Sequence, residues 1–154
     1  MFAEAFGDVF QVAYVTHDRG AAEGDLEARL GISDWTDLEV EPAGASLAVA
    51  FARAGRIQVE LIQPLGGRDR IFSELLPSTG AVRMHHLGVR VEDMDEALEH
   101  ADAAGFRAPH VGEIEGQLKF AFVDTTAELG HYLELAQFTP AGWDFVAGIL
   151  EARA

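Results

Sequence analysis

The 154-residue chain contains no cysteine. This absence excludes a disulfide framework, a cysteine-ligated zinc site and a cysteine nucleophile. Basic residues are also scarce, since 11 Lys and Arg stand against 26 Asp and Glu, which gives a formal charge of −15. A charge of this sign and size repels nucleic acids and anionic membranes, so we expect neither as a partner.

The sequence also lacks long apolar runs and a basic leader. No stretch approaches the roughly 18 consecutive apolar residues of a membrane span. The opening segment MFAEAFGDVFQVAY carries two acidic residues and no Lys or Arg, unlike a secretory signal peptide. We therefore expect a cytoplasmic protein that binds a small-molecule substrate, and the length predicts a single domain over residues 1–154.

The chain repeats itself once. Residues 10–32 align with residues 85–106 when Gln11 is placed on His86 and Asp18 on Asp93. In each half a short alternating strand leads through an Asp-bearing turn into an amphipathic helix that ends at a glycine. β-rich segments follow each helix, and they include strands predicted at residues 47–54 and 57–63 and at residues 119–124 and 132–137.

Each half is therefore predicted to be a βαβββ module. The modules span about residues 8–64 and 84–138, and residues 65–83 form a linker with a short helix at 71–76. A C-terminal helix is predicted at residues 141–152, where the apolar positions fall at helical spacing.

Four polar residues occupy equivalent positions of the two modules: Gln11 and His86 in the first strands, and Glu60 and Glu134 in the last strands. A carboxylate in such an apolar strand is costly unless it is paired or bound to a metal. Singly, each residue has an ordinary explanation, such as an ion pair with Arg56 or Lys119. Together, these nitrogen and oxygen donors predict a site for Zn²⁺, Ni²⁺, Co²⁺, Mn²⁺ or Fe²⁺.

Alternation along the strands predicts which side chains share a face. Glu60 and Ile62 are expected on one face of their strand, and Gln11 and Ala13 on one face of theirs. His85 is adjacent to His86, so it is expected to face the opposite side of the strand and to have a structural role.

Three segments, IQVELIQP, MHHLGVRVEDMDEAL and GHYLELAQ, carry a resemblance to a known family. With them the chain resembles the vicinal oxygen chelate superfamily, which includes glyoxalase I, methylmalonyl-CoA epimerase, extradiol dioxygenases and bleomycin-resistance proteins. The resemblance implies an α+β fold in which two βαβββ modules form a cup-shaped mixed sheet. It also implies a divalent metal ion held by Gln11, Glu60, His86 and Glu134, and a homodimer.

The resemblance further implies an activity, and the chain looks nearest to the methylmalonyl-CoA epimerase-like and uncharacterised glyoxalase-like members. The implied activity is that of an isomerase, epimerase or lyase that abstracts a proton next to a carbonyl group, with the metal stabilising the resulting enolate. Glu134 is expected to be the principal base and Glu60 its counterpart. Gln11, where a histidine is more common, counts against a dioxygenase.

Two alternative functions stay open. The first is glyoxalase I (lactoylglutathione lyase), although Val15 and Pro64 replace the arginine and asparagine that glutathione-using members have at those positions. The second is a non-enzymatic protein that binds a small-molecule drug, as bleomycin-resistance proteins do, which the charge of −15 fits.

Overall fold

One curved mixed sheet forms the body of the protein in the computed structural model, which describes residues 1–151. Over these residues its eight strands are β1 (Val9–Val15), β2 (Thr36–Val40), β3 (Ala45–Ala54), β4 (Ile57–Gly67), β5 (Arg83–Arg90), β6 (His110–Ile114), β7 (Leu118–Val123) and β8 (Tyr132–Phe138). The sheet confirms the predicted α+β fold built from two βαβββ modules.

The strand order, β2-β3-β4-β1-β5-β8-β7-β6, places the two modules side by side. The modules meet where β1 pairs with β5 in antiparallel orientation. β4 lies parallel to β1, and β8 lies parallel to β5. The four strands that carry Gln11, Glu60, His86 and Glu134 are therefore consecutive neighbours at the centre of the sheet.

The helices are α1 (Arg19–Leu30), α2 (Arg70–Ser73), α3 (Met94–Ala103), α4 (Thr126–Leu129) and α5 (Pro140–Glu151). α1 and α3 begin at the predicted Asp-bearing turns, and α1 ends at the predicted glycine. The side chains of Asp18 and Asp93 accept backbone N–H bonds at the starts of α1 and α3. Gly31 ends α1 in the left-handed conformation with φ 70°. Among residues 1–151, none of the helices is both long and apolar enough to cross a membrane.

Some predicted boundaries were wrong, for identifiable reasons. β4 continues to Gly67 because β3 pairs with it as far as Ala45. The helix predicted at residues 71–76 is Arg70–Ser73, because Pro77 follows and disfavours helical geometry just before it. The predicted C-terminal helix starts at Pro140 and is described to Glu151, so its predicted end at residue 152 lies outside the described residues.

α5 crosses the concave side of the sheet, where it contacts β3, β4 and β8. Thr139 fixes its start, because the hydroxyl accepts a bond from Gly142 N at 3.0 Å and lies 2.8 Å from the carbonyl oxygen of Gly116. Gly142 packs so closely on the turn before β7 that a Cβ there would overlap the backbone carbonyl of Gln117. The helix is thereby held over the sheet.

A Gly142→Ala substitution is therefore expected to destabilise the protein by about 1–3 kcal/mol, the usual cost of overpacking. Gly148→Ala on the same helix is the matched control, since an added Cβ there meets nothing within 4 Å. The control is expected to raise stability by about 0.5–1 kcal/mol through helix propensity. Urea unfolding of both variants measures the difference, and equal effects would show that α5 does not dock through Gly142.

Candidate metal centre

The four predicted residues meet at one point on the concave side of the sheet. His86 Nε2 lies 2.7 Å from Gln11 Oε1, 3.0 Å from Glu134 Oε2 and 3.5 Å from Glu60 Oε2. Gln11 Oε1 in turn lies 3.2 Å from Glu60 Oε2 and 3.0 Å from Glu134 Oε2. Donor atoms from both modules thus face one another, as the repeat predicted; their role as metal ligands remains a proposal.

A chain of hydrogen bonds determines which nitrogen of His86 carries a proton. His85 Nε2 lies 2.9 Å from the carbonyl oxygen of Ile71, which only accepts, so His85 Nε2 is the donor. Burial, and secondly the proximity of His86, lowers the pKa of His85 well below 6.5, so its ring is neutral and its Nδ1 is an acceptor. That atom lies 2.9 Å from His86 Nδ1, which must then donate. In a neutral His86, the lone pair of Nε2 therefore points at the three oxygen atoms.

A second amide orients Gln11. Gln11 Nε2 donates to Gln58 Oε1 at 2.6 Å, which turns Gln11 Oε1 towards His86 and the two carboxylates. Reversing the Gln11 amide would let its N–H group donate to those atoms, but its oxygen would then face the oxygen of Gln58. Both amides would have to reverse together. As the two amides are placed, Gln11 presents an oxygen lone pair to the other three atoms, and the reversed pair would present an N–H group instead.

The donor set fits a divalent cation. Four atoms that each carry a lone pair repel one another unless positive charge lies among them. Ligands about 2.0–2.2 Å from one ion are roughly 2.8–3.6 Å apart, close to the separations seen here. Among residues 1–151, His, Cys, Asp and Glu side chains alone do not form a group of three arranged to hold a metal. The fit therefore depends on the Gln11 oxygen, and on small outward movements of the carboxylates around an ion.

The surroundings of Glu60 disfavour its charged form. Burial, and then repulsion from Glu134, raises the pKa of Glu60 well above its ordinary 4.5. Without a cation, burial and the neighbouring carboxyl group therefore favour the protonated form of Glu60. The side chains of Glu60 and Glu134 keep 12% and 13% of their surface exposed, and both open onto the same cavity.

The prediction that His85 faces away from His86 was wrong. The pairing of β1 with β5 passes from Ala13–His86 directly to Tyr14–Met84, so a β-bulge falls at His85. The bulge brings both imidazoles to the same region, where the rings meet edge to face at 5.1 Å. His85 stacks on Phe72 and on Tyr132 and is fully buried.

A His85→Phe substitution is therefore expected to weaken divalent metal binding by about 10–100-fold, the usual effect of losing a partner that orients a metal-binding histidine. Phenylalanine keeps the stacking but removes the acceptor for His86 Nδ1. His110→Phe is the matched control, because His110 is also a buried imidazole bonded to a carbonyl oxygen, that of Pro42. Zn²⁺ affinity is measured by competition with a chelator. Equal losses in both variants would contradict the role of His85.

A cavity of about 380 Å³ lies above the donor atoms. Its lining includes seven phenylalanines: Phe10, Phe51, Phe72, Phe120, Phe122, Phe138 and Phe145. Both modules and α5 contribute to the wall. The sequence did not reveal the aromatic walls of this cavity, because the phenylalanines are scattered along the chain. Gln58 was also missed, although its position two residues before Glu60 places both on one face of β4.

The geometry and the comparisons with known proteins agree. Two βαβββ modules that form a curved sheet around a central polar site define the vicinal oxygen chelate class. Residues 10–122 match the family model described as Glyoxalase/Bleomycin resistance protein/Dioxygenase superfamily, and the chain belongs to this superfamily. The predicted family is thereby confirmed. Among curated proteins, none matches the chain in sequence.

Several solved structures share the fold. One is methylmalonyl-CoA epimerase from Mycobacterium tuberculosis, with TM-score 0.66 and 18% identity over 89% of this chain and 91% of that chain. Another is a Streptomyces coelicolor methylmalonyl-CoA epimerase variant in complex with 2-nitronate-propionyl-CoA, with TM-score 0.65 and 17% identity over 88% and 96%. A hypothetical protein from Bacillus halodurans C-125 has TM-score 0.63 and 14% identity over 84% and 93%.

Proposed function

We propose that the protein is a metal-dependent isomerase, epimerase or lyase that moves a proton at a carbon next to a carbonyl group. The observation that carries the proposal is the convergence of Gln11, Glu60, His86 and Glu134 beneath an apolar cavity. The epimerase neighbours support it as relatives of the same fold. A divalent ion held by these residues would polarise the carbonyl oxygen and stabilise the charge that develops on it.

The two glutamates suit opposite roles in proton transfer. β4 and β8 lie on either side of the central β1–β5 pair, so Glu60 and Glu134 reach the cavity from opposite sides. Glu134 takes the proton from the C–H bond, and the electron pair of that bond moves towards the carbonyl oxygen. Glu60, on the other side of the substrate carbon, delivers a proton to the opposite face. Return to the same carbon inverts its configuration.

The aromatic cavity also keeps bulk water away from the reacting carbon. Phe122 lies edge to face against the ring of His86, with the centroids 5.0 Å apart. Phe120 and Phe72 pack beside it. An apolar wall next to the carboxyl groups strengthens their electrostatic interaction with the substrate.

Glutathione chemistry and simple drug binding are weaker candidates. Val15, which replaces the arginine of glutathione-using members, is fully buried. A binder that only sequesters a cation would need the carboxylates but not an imidazole and an amide oxygen oriented by His85 and Gln58.

Metal analysis and solvent-deuterium exchange test the proposal together. Protein prepared with each of the five candidate ions is incubated in D₂O with a panel of carbonyl compounds that includes methylmalonyl-CoA. The proposal expects bound metal and deuterium incorporation that a chelator abolishes. Absence of bound metal under replete conditions would favour the binder. Turnover of the glutathione hemithioacetal alone would establish a glyoxalase. Light scattering tests the proposed homodimer.

A further inference from the structure

The walls of the cavity indicate what part of a substrate lies above the site. Along β7, Leu118, Phe120 and Phe122 line the cavity, and the intervening Lys119 is exposed on the other face. β3 and β4 supply further apolar groups, among them Leu47 and Ile62. Apart from the polar cluster at the base and Gln117 at the rim, the described lining is apolar.

The described lining contains no lysine and no arginine. Its charged or ionisable members are Glu60, Glu134 and His86, all at the base. A carboxylate or phosphate on the distal part of a ligand would thus lose its hydration without gaining a cationic partner. The formal charge of −15 adds a repulsion on approach. Both effects select against an anionic tail.

The volume of the cavity indicates the size of the group that it encloses. About 380 Å³ equals the volume of about a dozen water molecules at about 30 Å³ each, so the enclosed group has roughly that number of non-hydrogen atoms. α5 limits extension beyond it, because Val146 and Phe145 lie over the cavity. Phe145 contacts Phe51 edge to face with a centroid separation of 5.7 Å, so the rim on this side is also aromatic.

The geometry points to a substrate whose carbonyl group carries an uncharged aromatic or branched aliphatic substituent of about a dozen non-hydrogen atoms. This inference rests on the proposed function for the position of the carbonyl group at the base. The substituent is recognised by the apolar walls, independently of the metal. It makes the preferred substrate a compact, neutral carbonyl compound.

Three probes with one head group test the inference: hydroxyacetone, 2-hydroxyacetophenone and the 4-carboxylate of 2-hydroxyacetophenone. Binding is measured by calorimetry on metal-loaded and metal-depleted protein. The phenyl compound is expected to bind at least about tenfold more tightly than hydroxyacetone, because its ring is buried. The carboxylated probe is expected to bind about tenfold or more weakly than the phenyl probe. The ranking should persist without metal.

A charge placed at the rim provides the matched test. Phe145 is 40% exposed, so Phe145→Arg is compatible with folding. The variant is expected to reduce the preference for the neutral over the carboxylated probe by about tenfold, because the guanidinium pairs with the carboxylate. Asp144→Asn changes the net charge by the same unit on an exposed neighbouring residue outside the lining. It should leave the preference unchanged. Leu38→Arg at another point of the rim repeats the test if Phe145→Arg lowers the melting temperature.

The outcomes separate the two proposals. Equal affinity for the neutral and carboxylated probes, or a tighter complex with the carboxylate, would overturn the inference about the tail. Equal changes in Phe145→Arg and Asp144→Asn would also overturn it. A preserved preference for the phenyl probe without deuterium exchange into any compound would instead overturn the proposed function and leave the apolar site in place.

Discussion

A Glu134→Gln variant is expected to exchange solvent deuterium into the substrate about 10²–10⁴-fold more slowly than the wild-type protein, the usual contribution of a general base. The amide cannot accept the proton, but its oxygen can still contact a cation, as the oxygen of Gln11 does. Metal content should therefore fall much less than the exchange rate. Mass spectrometry of the substrate and metal analysis of the same preparation measure both quantities.

The control for this substitution is Glu128→Gln, which removes one carboxylate from an exposed site on α4 in the same module. Exchange by the control should equal that of the wild type. Undiminished exchange by Glu134→Gln would show that another group is the base. A parallel loss of metal and activity would show that Glu134 acts only as a ligand.

The second large effect is that of a Glu60→Gln substitution on the free energy of unfolding. Its sign should differ between metal-free and metal-loaded protein. In metal-free protein, Glu60→Gln is expected to raise stability by about 1 kcal/mol or more, because a buried carboxyl beside Glu134 is replaced by an amide that can donate a hydrogen bond. With an ion at about 100 times its Kd, the wild type should gain about 2.7 kcal/mol, and the variant much less. Denaturant unfolding with chelator and with Zn²⁺ measures both differences.

The difference in stability between the Glu60→Gln variant and the wild type in metal-free protein should also depend on pH. Because the pKa of folded Glu60 is raised, its destabilising effect develops as the pH rises above the ordinary value of 4.5. The variant and the wild type should therefore converge in stability below that pH. Glu39→Gln on the exposed strand β2 is the control and should show no such trend. A wild-type protein that none of the five ions stabilises would refute the metal site.

The sequence predicted the centre of the sheet better than its edges. Gln11, Glu60, His86 and Glu134 could be found because the internal repeat and the two-residue period of strands are both visible in the sequence. β2 and β6 were not located, since both are largely exposed and lack a clear apolar alternation. Their places are determined by pairing with β3 and β7, which is a tertiary effect.

The surroundings of the site were harder to predict than the site itself. The orientation of His85 depends on a β-bulge, and one extra residue in a strand leaves no signature in the local composition. The role of Gln58 depends on the parallel register that sets it opposite Gln11. The cavity depends on α5 returning over the sheet, which requires the close contact at Gly142. Each of these arises from contacts between residues far apart in sequence.

The pairing of β1 with β5, where the modules meet, also affects how the protein unfolds. Within residues 1–151, that seam is the one strand pairing that joins the modules, and each module supplies two of the four donor atoms beside it. Neither module can swing away while all four atoms hold a common ion. With the proposed ion bound, metal release would be a prerequisite for partial unfolding, and the two modules would behave as a single cooperative unit instead of two independent ones.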